Sequence, residues 1–159
     1  MRSEFVYVSY IKTTPEKLWH MLTTPGLVKQ WWGGGINVQS AWKVGSSWLM
    51  SYADGRAADS GEILEIDPPN RMVIKWRNES KPELKKEGFS HCTIELEKMD
   101  EAVKLKVTHG MDLPHSKFIE VVSGGWPVVI SNLKSLLETG KVVFKERTDN
   151  YGRRTNDTI

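Results

Sequence analysis

The sequence predicts an α+β fold in which a curved antiparallel sheet is covered by helices on one side, the longest of them near the C-terminal end. Three observations predict it. Residues 124–140 read as one helix with both ends marked. Most of the chain before that helix alternates polar and apolar residues between turn signals, as half-buried strands do. Strands and helices are also segregated along the chain, an order that favours helices packed on one side of an antiparallel sheet.

Residues 3–11 (SEFVYVSYI) are rich in β-branched and aromatic residues and read as the first strand. Thr14 can then cap a helix, Pro15 suits its first position and Glu16 favours the positive end of its dipole. Leu18, Trp19 and Leu22 form the buried stripe of this helix. Thr24-Pro25 breaks it. A second short helix is expected from about Pro25 to Trp31, stopped by Gly33-Gly34-Gly35.

Six strands are expected next. Residues 38–42 lead into a Lys43-Val44-Gly45 turn, and residues 46–52 place Trp48, Met50 and Tyr52 on one face by alternation. Asp54-Gly55 is a hairpin signal. Residues 59–66 are a strand ending at the turn Asp67-Pro68-Pro69-Asn70. Met72, Ile74 and Trp76 share a face of the next strand. Residues 77–90 are charged and read as a loop. Cys92, Ile94 and Leu96 alternate in one further strand, and Val103, Leu105, Val107 and His109 in the last. Residues 111–122 leave a choice between loop and short helix.

The long helix places Pro127 in its first turn, where a missing N–H costs nothing. Gly140 supplies the left-handed residue at its end. Trp126, Val129, Ile130, Leu133, Leu136 and Leu137 form its apolar stripe, with Asn132, Lys134, Ser135 and Glu138 on the other side. At 1.5 Å per residue it spans about 20 Å, enough to cover one face of a small sheet. One domain is expected over 1–143, followed by a polar, mobile tail over 144–159.

Composition excludes several classes of function. The net charge is +2 over 159 residues, too small to indicate nucleic acid or a membrane surface. A single cysteine permits no internal disulfide and fits a reducing compartment, so a cytoplasmic location is expected. No signal-peptide pattern opens the chain, and no apolar run approaches the ~20 residues of a membrane span. The four histidines show no i, i+3 or i, i+4 pairing and Cys92 has no cysteine partner, so no metal site is expected, nor any cofactor.

The remaining chemistry centres on aromatic residues. Seven tryptophans stand against four phenylalanines, and indole offers a broad apolar face with one N–H donor. Trp48, Met50, Tyr52, Ile74 and Trp76 on the sheet, with Trp126, Ile130 and Leu133 on the helix, are expected to line a cavity between the two. Its expected size is on the order of 300–1,000 Å³. Trp32, beside the glycine run, is placed at the cavity mouth. His109 lies on an apolar strand face, where it is either an acid–base group in the cavity or a structural histidine. Cys92 reads as a buried, inert thiol.

Several blocks taken in order carry a resemblance. They are Val8-Ser9-Tyr10-Ile11 with Thr14-Pro15-Glu16-Lys17-Leu18-Trp19, then Trp31-Trp32-Gly33, Trp42-Lys43-Val44-Gly45 and Asp54-Gly55. Residues 61–72 (GEILEIDPPNRM), Trp76 and Val107-Thr108-His109 continue the series. Gly125-Trp126-Pro127 and residues 133–138 (LKSLLE) close it. Over residues 3 to 143 the chain resembles bacterial AHSA1-like proteins, relatives of the C-terminal domain of the Hsp90 ATPase activator. They belong to the START-like, or SRPBCC, superfamily.

The resemblance implies a helix-grip fold: about six or seven antiparallel strands wrapped around the C-terminal helix, with an internal apolar cavity. It also implies a lipid-like, polyketide-like or other hydrophobic small molecule as ligand. The first expectation is therefore hydrophobic ligand binding. A cyclase- or hydrolase-type enzyme using the same cavity, with His109 as acid–base, is the first rival. A chaperone-associated or regulatory protein with an Hsp90-type partner is the second. The eukaryotic activator has a separate N-terminal domain that engages Hsp90, whereas this chain begins at the first strand of the grip, so chaperone activation is not expected of it.

Overall fold

The computed structural model describes residues 2–145. The chain runs β1 (Ser3–Ile11), α1 (Pro15–Thr23), α2 (Val28–Trp32), β2 (Asn37–Ser40), β3 (Ser47–Ser51), β4 (Ala57–Asp67) and β5 (Arg71–Asn78). It continues through α3 (Pro82–Lys85), β6 (Ser90–Met99), β7 (Ala102–Met111) and α4 (Lys117–Thr139). The seven strands form one curved antiparallel sheet in the order β1-β7-β6-β5-β4-β3-β2. The first strand thus crosses to pair with the last, from Ser3 opposite Met111 to Ile11 opposite Val103. This is the helix-grip fold expected from the sequence.

Local signals explain most elements. Thr14 caps α1 by accepting from the Lys17 N–H at 3.2 Å, with Pro15 at the first helical position. Gly140 ends α4 in the left-handed region, φ 81°, and its N–H bonds the Leu136 carbonyl. In β6, Cys92, Ile94 and Leu96 are buried while His91 faces out; in β7, Val103, Leu105, Val107 and His109 are buried.

The long helix differs from its sequence reading. It starts at Lys117, so Pro127 is an interior residue rather than a first-turn one. The true start is marked by Ser116, whose Oγ accepts from the Ile119 N–H at 3.1 Å. Glu87, from the connection before β6, completes the cap. Its carboxylate accepts from Ser116 Oγ at 2.7 Å and from the Lys117 and Phe118 N–H groups at 2.9 and 3.1 Å. A negative charge there also meets the positive end of the helix dipole. Pro127 removes one intrahelical hydrogen bond. Burial along Phe118, Val122, Trp126, Val129 and Leu133 carries the helix through it.

The 77–90 segment is not simply a loop. It contains the end of β5 and the short α3, which buries Leu84. Asn132, expected on the polar side of the long helix, is buried. Its Nδ2 donates to the Trp31 carbonyl at 3.3 Å, and its Oδ1 accepts from the Val143 and Phe144 N–H groups at 3.0 and 2.8 Å. The side chain is buried because α2 and residues 143–144 cover that part of α4. Of the expected tail, residues 146–159 lie outside the described residues, and Phe144 is held by Asn132.

Two irregularities position the aromatic residues. The β3–β4 register shifts at Met50/Ser51, so the alternation that would carry Tyr52 onto the Trp48–Met50 face stops there. Gly61 of β4 sits opposite Trp48 on one side and opposite Trp76 on the other. The two indoles meet across it with ring centroids 4.4 Å apart. A Cβ at Gly61 would lie 1.5 Å from the Lys75 carbonyl oxygen.

Gly61→Ala should therefore destabilise the protein by about 3 kcal/mol or more, because backbone rather than a flexible side chain must move. An ordinary exposed strand would tolerate or favour the change. Leu133, fully buried at the centre of the α4 stripe, should cost roughly 2–5 kcal/mol when cut to alanine. Urea unfolding midpoints measure both.

Candidate functional site

The sheet, α1, α2 and α4 enclose a half-open apolar cavity of about 30 Å³. Six of the seven tryptophans of the chain stand on its wall: Trp31, Trp32, Trp42, Trp48, Trp76 and Trp126. Leu22 and Val28 complete the wall from the helices. Val38, Met50, Met72, Ile74 and Ile94 complete it from the sheet. No charged side chain takes part.

This cavity is far smaller than the expected 300–1,000 Å³; it has room for about two waters. The tryptophans are the reason. Their rings pack on one another in tilted and edge-on pairs: Trp32 with Trp126 at 5.3 Å, Trp32 with Trp76 at 6.3 Å, and Trp76 with Trp126 at 5.8 Å. Side chains numerous enough to wall a large pocket instead fill most of it.

Of the ten residues expected at the site, Trp32, Trp48, Met50, Ile74, Trp76 and Trp126 stand on the wall. The other four lie elsewhere. Ile130 and Leu133 are buried in the core, on α4 beyond Trp126. Tyr52 follows the β3 irregularity, packs at the edge of the core and donates its hydroxyl to Ser80 Oγ at 3.0 Å. His109 is fully buried behind the wall, against Trp76 and Trp126.

His109 has a defined role next to the cavity. Trp126 Nε1–H donates to its Nδ1 at 3.1 Å, which fixes the neutral tautomer with the proton on Nε2. Nε2 then donates to Ser90 Oγ at 2.8 Å, and Ser90 Oγ donates onward to the Trp76 carbonyl at 2.9 Å. The Trp76 indole N–H donates separately to the buried Asp59 carboxyl at 2.6 Å. Both ring nitrogens of His109 are thus engaged, and the ring packs edge-on against Phe118 at 5.3 Å. Burial, with a smaller contribution from His91, lowers its pKa to about 3. The imidazole stays neutral and bonded through the physiological range. Cys92 is buried opposite His109 in the ladder, and burial pushes its thiol pKa up, so it does not form a reactive thiolate.

Two of the wall tryptophans, Trp32 and Trp42, have an indole N–H that is buried without a protein partner. Trp42 is not among the ten expected residues, and the strand expected over 38–42 ends at Ser40, before it. Trp42 adopts a left-handed backbone, φ 55°, and its amide N–H bonds Ser40 Oγ at 3.0 Å. A non-glycine residue in that conformation is strained and tends to mark a functional position. Trp31, by contrast, satisfies its indole N–H at the Met21 carbonyl, 3.1 Å away. Among the described residues no group of three or more His, Cys, Asp or Glu side chains is arranged to hold a metal ion, and no helix is long and apolar enough to cross a membrane.

The His109 pKa lies below the ordinary value of 6.5, so on acidification the unfolded chain takes up a proton that the native protein does not. The stability associated with the neutral ring is complete above pH 6.5 and declines as pH falls toward 3. Between pH 7 and pH 5 this group should account for a loss of about 2 kcal/mol. His109→Gln, which keeps a donor and an acceptor but does not titrate, should unfold with a correspondingly shallower pH dependence over that interval, as urea titrations at each pH will measure.

Known structures share the architecture. A Mesorhizobium loti protein, MLL2253, superposes with a TM-score of 0.74 at 22% identity, covering 88% of this chain and 100% of that one. The Aha1 dimer from Colwellia psychrerythraea gives 0.70 at 22% identity over 87% and 98% of the two chains. PFC0360w, an HSP90 activator from Plasmodium falciparum, gives 0.67 at 24% over 84% and 95%. A search of curated proteins finds no match to the sequence. The family model described as activator of Hsp90 ATPase homolog 1-like protein matches residues 12–138, most of the folded chain, and the protein belongs to that family.

Proposed function

We propose that this protein binds a hydrophobic or aromatic small molecule at the tryptophan-walled cavity between the sheet, α2 and α4. The observation that carries the reading is the convergence of six of seven tryptophans on one small, half-open space. A core needs volume filled, and leucine or isoleucine does that without leaving donors to satisfy. Indoles facing a gap with an open side are what an aromatic guest stacks against.

The guest has to enlarge the space it enters. The element best suited to yield is α2, a single short helix followed by Gly33, Gly34 and Gly35, all with left-handed φ of 91°, 65° and 73°. Such a run adjusts at little steric cost. Movement of α2 would carry Trp31 and Trp32 outward and widen the cavity. The hydrogen bonds from Asn132 to the Trp31 carbonyl and from the Trp31 indole to the Met21 carbonyl are polar ties it would have to loosen.

Of the rival readings, acid–base catalysis loses its candidate: His109 is sealed, neutral and doubly hydrogen-bonded. Association with an Hsp90-type chaperone is supported by the family and by the name of the Plasmodium falciparum relative. Saturable stimulation of a bacterial Hsp90 homologue's ATPase would favour it. Binding in the cavity is tested by titrating the protein with indane while following the ¹H–¹⁵N spectrum. The indole N–H resonances of the six wall tryptophans should shift saturably, with Trp19 unmoved. Shifts confined to exposed apolar residues such as Phe89 and Val143 would reject the cavity as the binding site.

A further inference from the structure

We infer that the cavity selects a neutral apolar molecule carrying a hydrogen-bond-accepting oxygen, such as an aryl ketone, and that the Trp32 and Trp42 indole N–H groups are the donors that specify it. The inference rests on the binding reading above and adds the chemistry of the guest.

Three observations lead to it. Trp32 is 4% exposed, and its indole nitrogen is buried without a partner. An unmet buried donor is uncommon and costly in a folded protein. Trp42, half-buried on the same wall, also has a buried indole nitrogen without a protein partner, and it keeps a left-handed backbone. The other buried indoles of the site with assigned bonds are satisfied within the protein: Trp31 by Met21, Trp76 by Asp59 and Trp126 by His109. The two unmet donors therefore lie on α2 and on the β2–β3 connection, the side of the wall outside the His109 network.

The character of the guest follows by elimination. An anion would be buried against apolar walls that hold no lysine, arginine or charged histidine. A quaternary ammonium, the usual guest of aromatic cages, would bring a positive charge toward two N–H dipoles and leave both unbonded. A pure hydrocarbon would fill the space and leave the donors as they are. A carbonyl, ether or ester oxygen on an aromatic body satisfies both requirements, stacking on the indoles and accepting from Nε1–H.

Indane and 1-indanone, which differ by one CH₂ replaced with C=O, test it. A purely apolar cavity prefers indane, because the ketone gives up its hydration. The inferred cavity prefers 1-indanone, by about tenfold, and the indole protons of Trp32 and Trp42 move downfield with the ketone only. Trp32→Phe and Trp42→Phe, which remove a donor and keep a ring, should each reduce the ratio of ketone to indane affinity, whatever the lost ring area does to both. If either variant fails to fold, the downfield shifts in the unmodified protein decide the matter. Equal or weaker binding of the ketone, with both probes moving the wall indoles, overturns the donor assignment and leaves cavity binding standing. A ketone preference that survives both variants also overturns it. If neither probe moves the wall indoles, both readings fail.

Discussion

One buried hydrogen-bonded chain, fixed by the protonation state of a single imidazole, holds this fold together. His109 can accept from Trp126 and donate to Ser90 at once only as the neutral Nε2–H tautomer. That pair of bonds joins α4 to β7 and β6, and Ser90 extends the link to the β5 backbone. Trp76 then reaches Asp59 on β4. A grip fold must attach one helix to a sheet that curves away from it. Apolar packing does so without regard to register, whereas this chain fixes which turn of α4 faces which residues of β7. Every member is buried, so each unsatisfied atom would carry a full desolvation penalty.

The aromatic wall depends on a second constraint, the absence of a side chain at Gly61. Trp48 and Trp76 come from strands that are not neighbours, and their rings meet across Gly61, where a Cβ would strike the Lys75 carbonyl and displace the strand that carries Trp76. Trp76 therefore has two functions. Its ring belongs to the cavity wall and its polar atoms belong to the His109 network. Trp126 is in the same position, with its indole N–H held by His109 and its ring against Trp32. This sharing explains the small cavity, since rings held on their polar edges cannot rotate apart to leave a larger space.

Much of this architecture was legible in the sequence where the signal was local. Alternation located β5, β6 and β7 with their inward faces, Thr14-Pro15 located α1, and Gly140 located the end of α4. The beginning of α4 was misread, because Pro127 imitates a first-turn proline and draws attention from the cap at Ser116, which is completed by Glu87 about thirty residues away in sequence. Asn132 was misplaced because a helical wheel knows only one buried face, while α2 and residues 143–144 bury a second. At the site, the tryptophans of the strands were assigned by parity. Tyr52 was lost to an irregularity in β3 that parity counting passes over, and Trp42 was missed because its position depends on a left-handed backbone no pattern announces. His109 carried two open readings in the sequence, and only its partners distinguish them.

The division between fixed and free tryptophans also determines where the molecule can respond to a guest. Trp76 and Trp126 cannot move without breaking buried hydrogen bonds that span five elements, so that side of the cavity is tightly held. Trp32 and Trp42 carry no such bonds from their indoles, and they sit on a short helix before three left-handed glycines and on a strained connection between strands. The glycine run and the indole N–H groups without a protein partner thus lie on the same side. Under the proposed binding, a guest entering there would gain contacts with the held side and would supply what the other side lacks. Closure around it would then be favoured by the hydrogen bonds it makes, and the free protein would keep the small cavity seen when only its own side chains fill the grip.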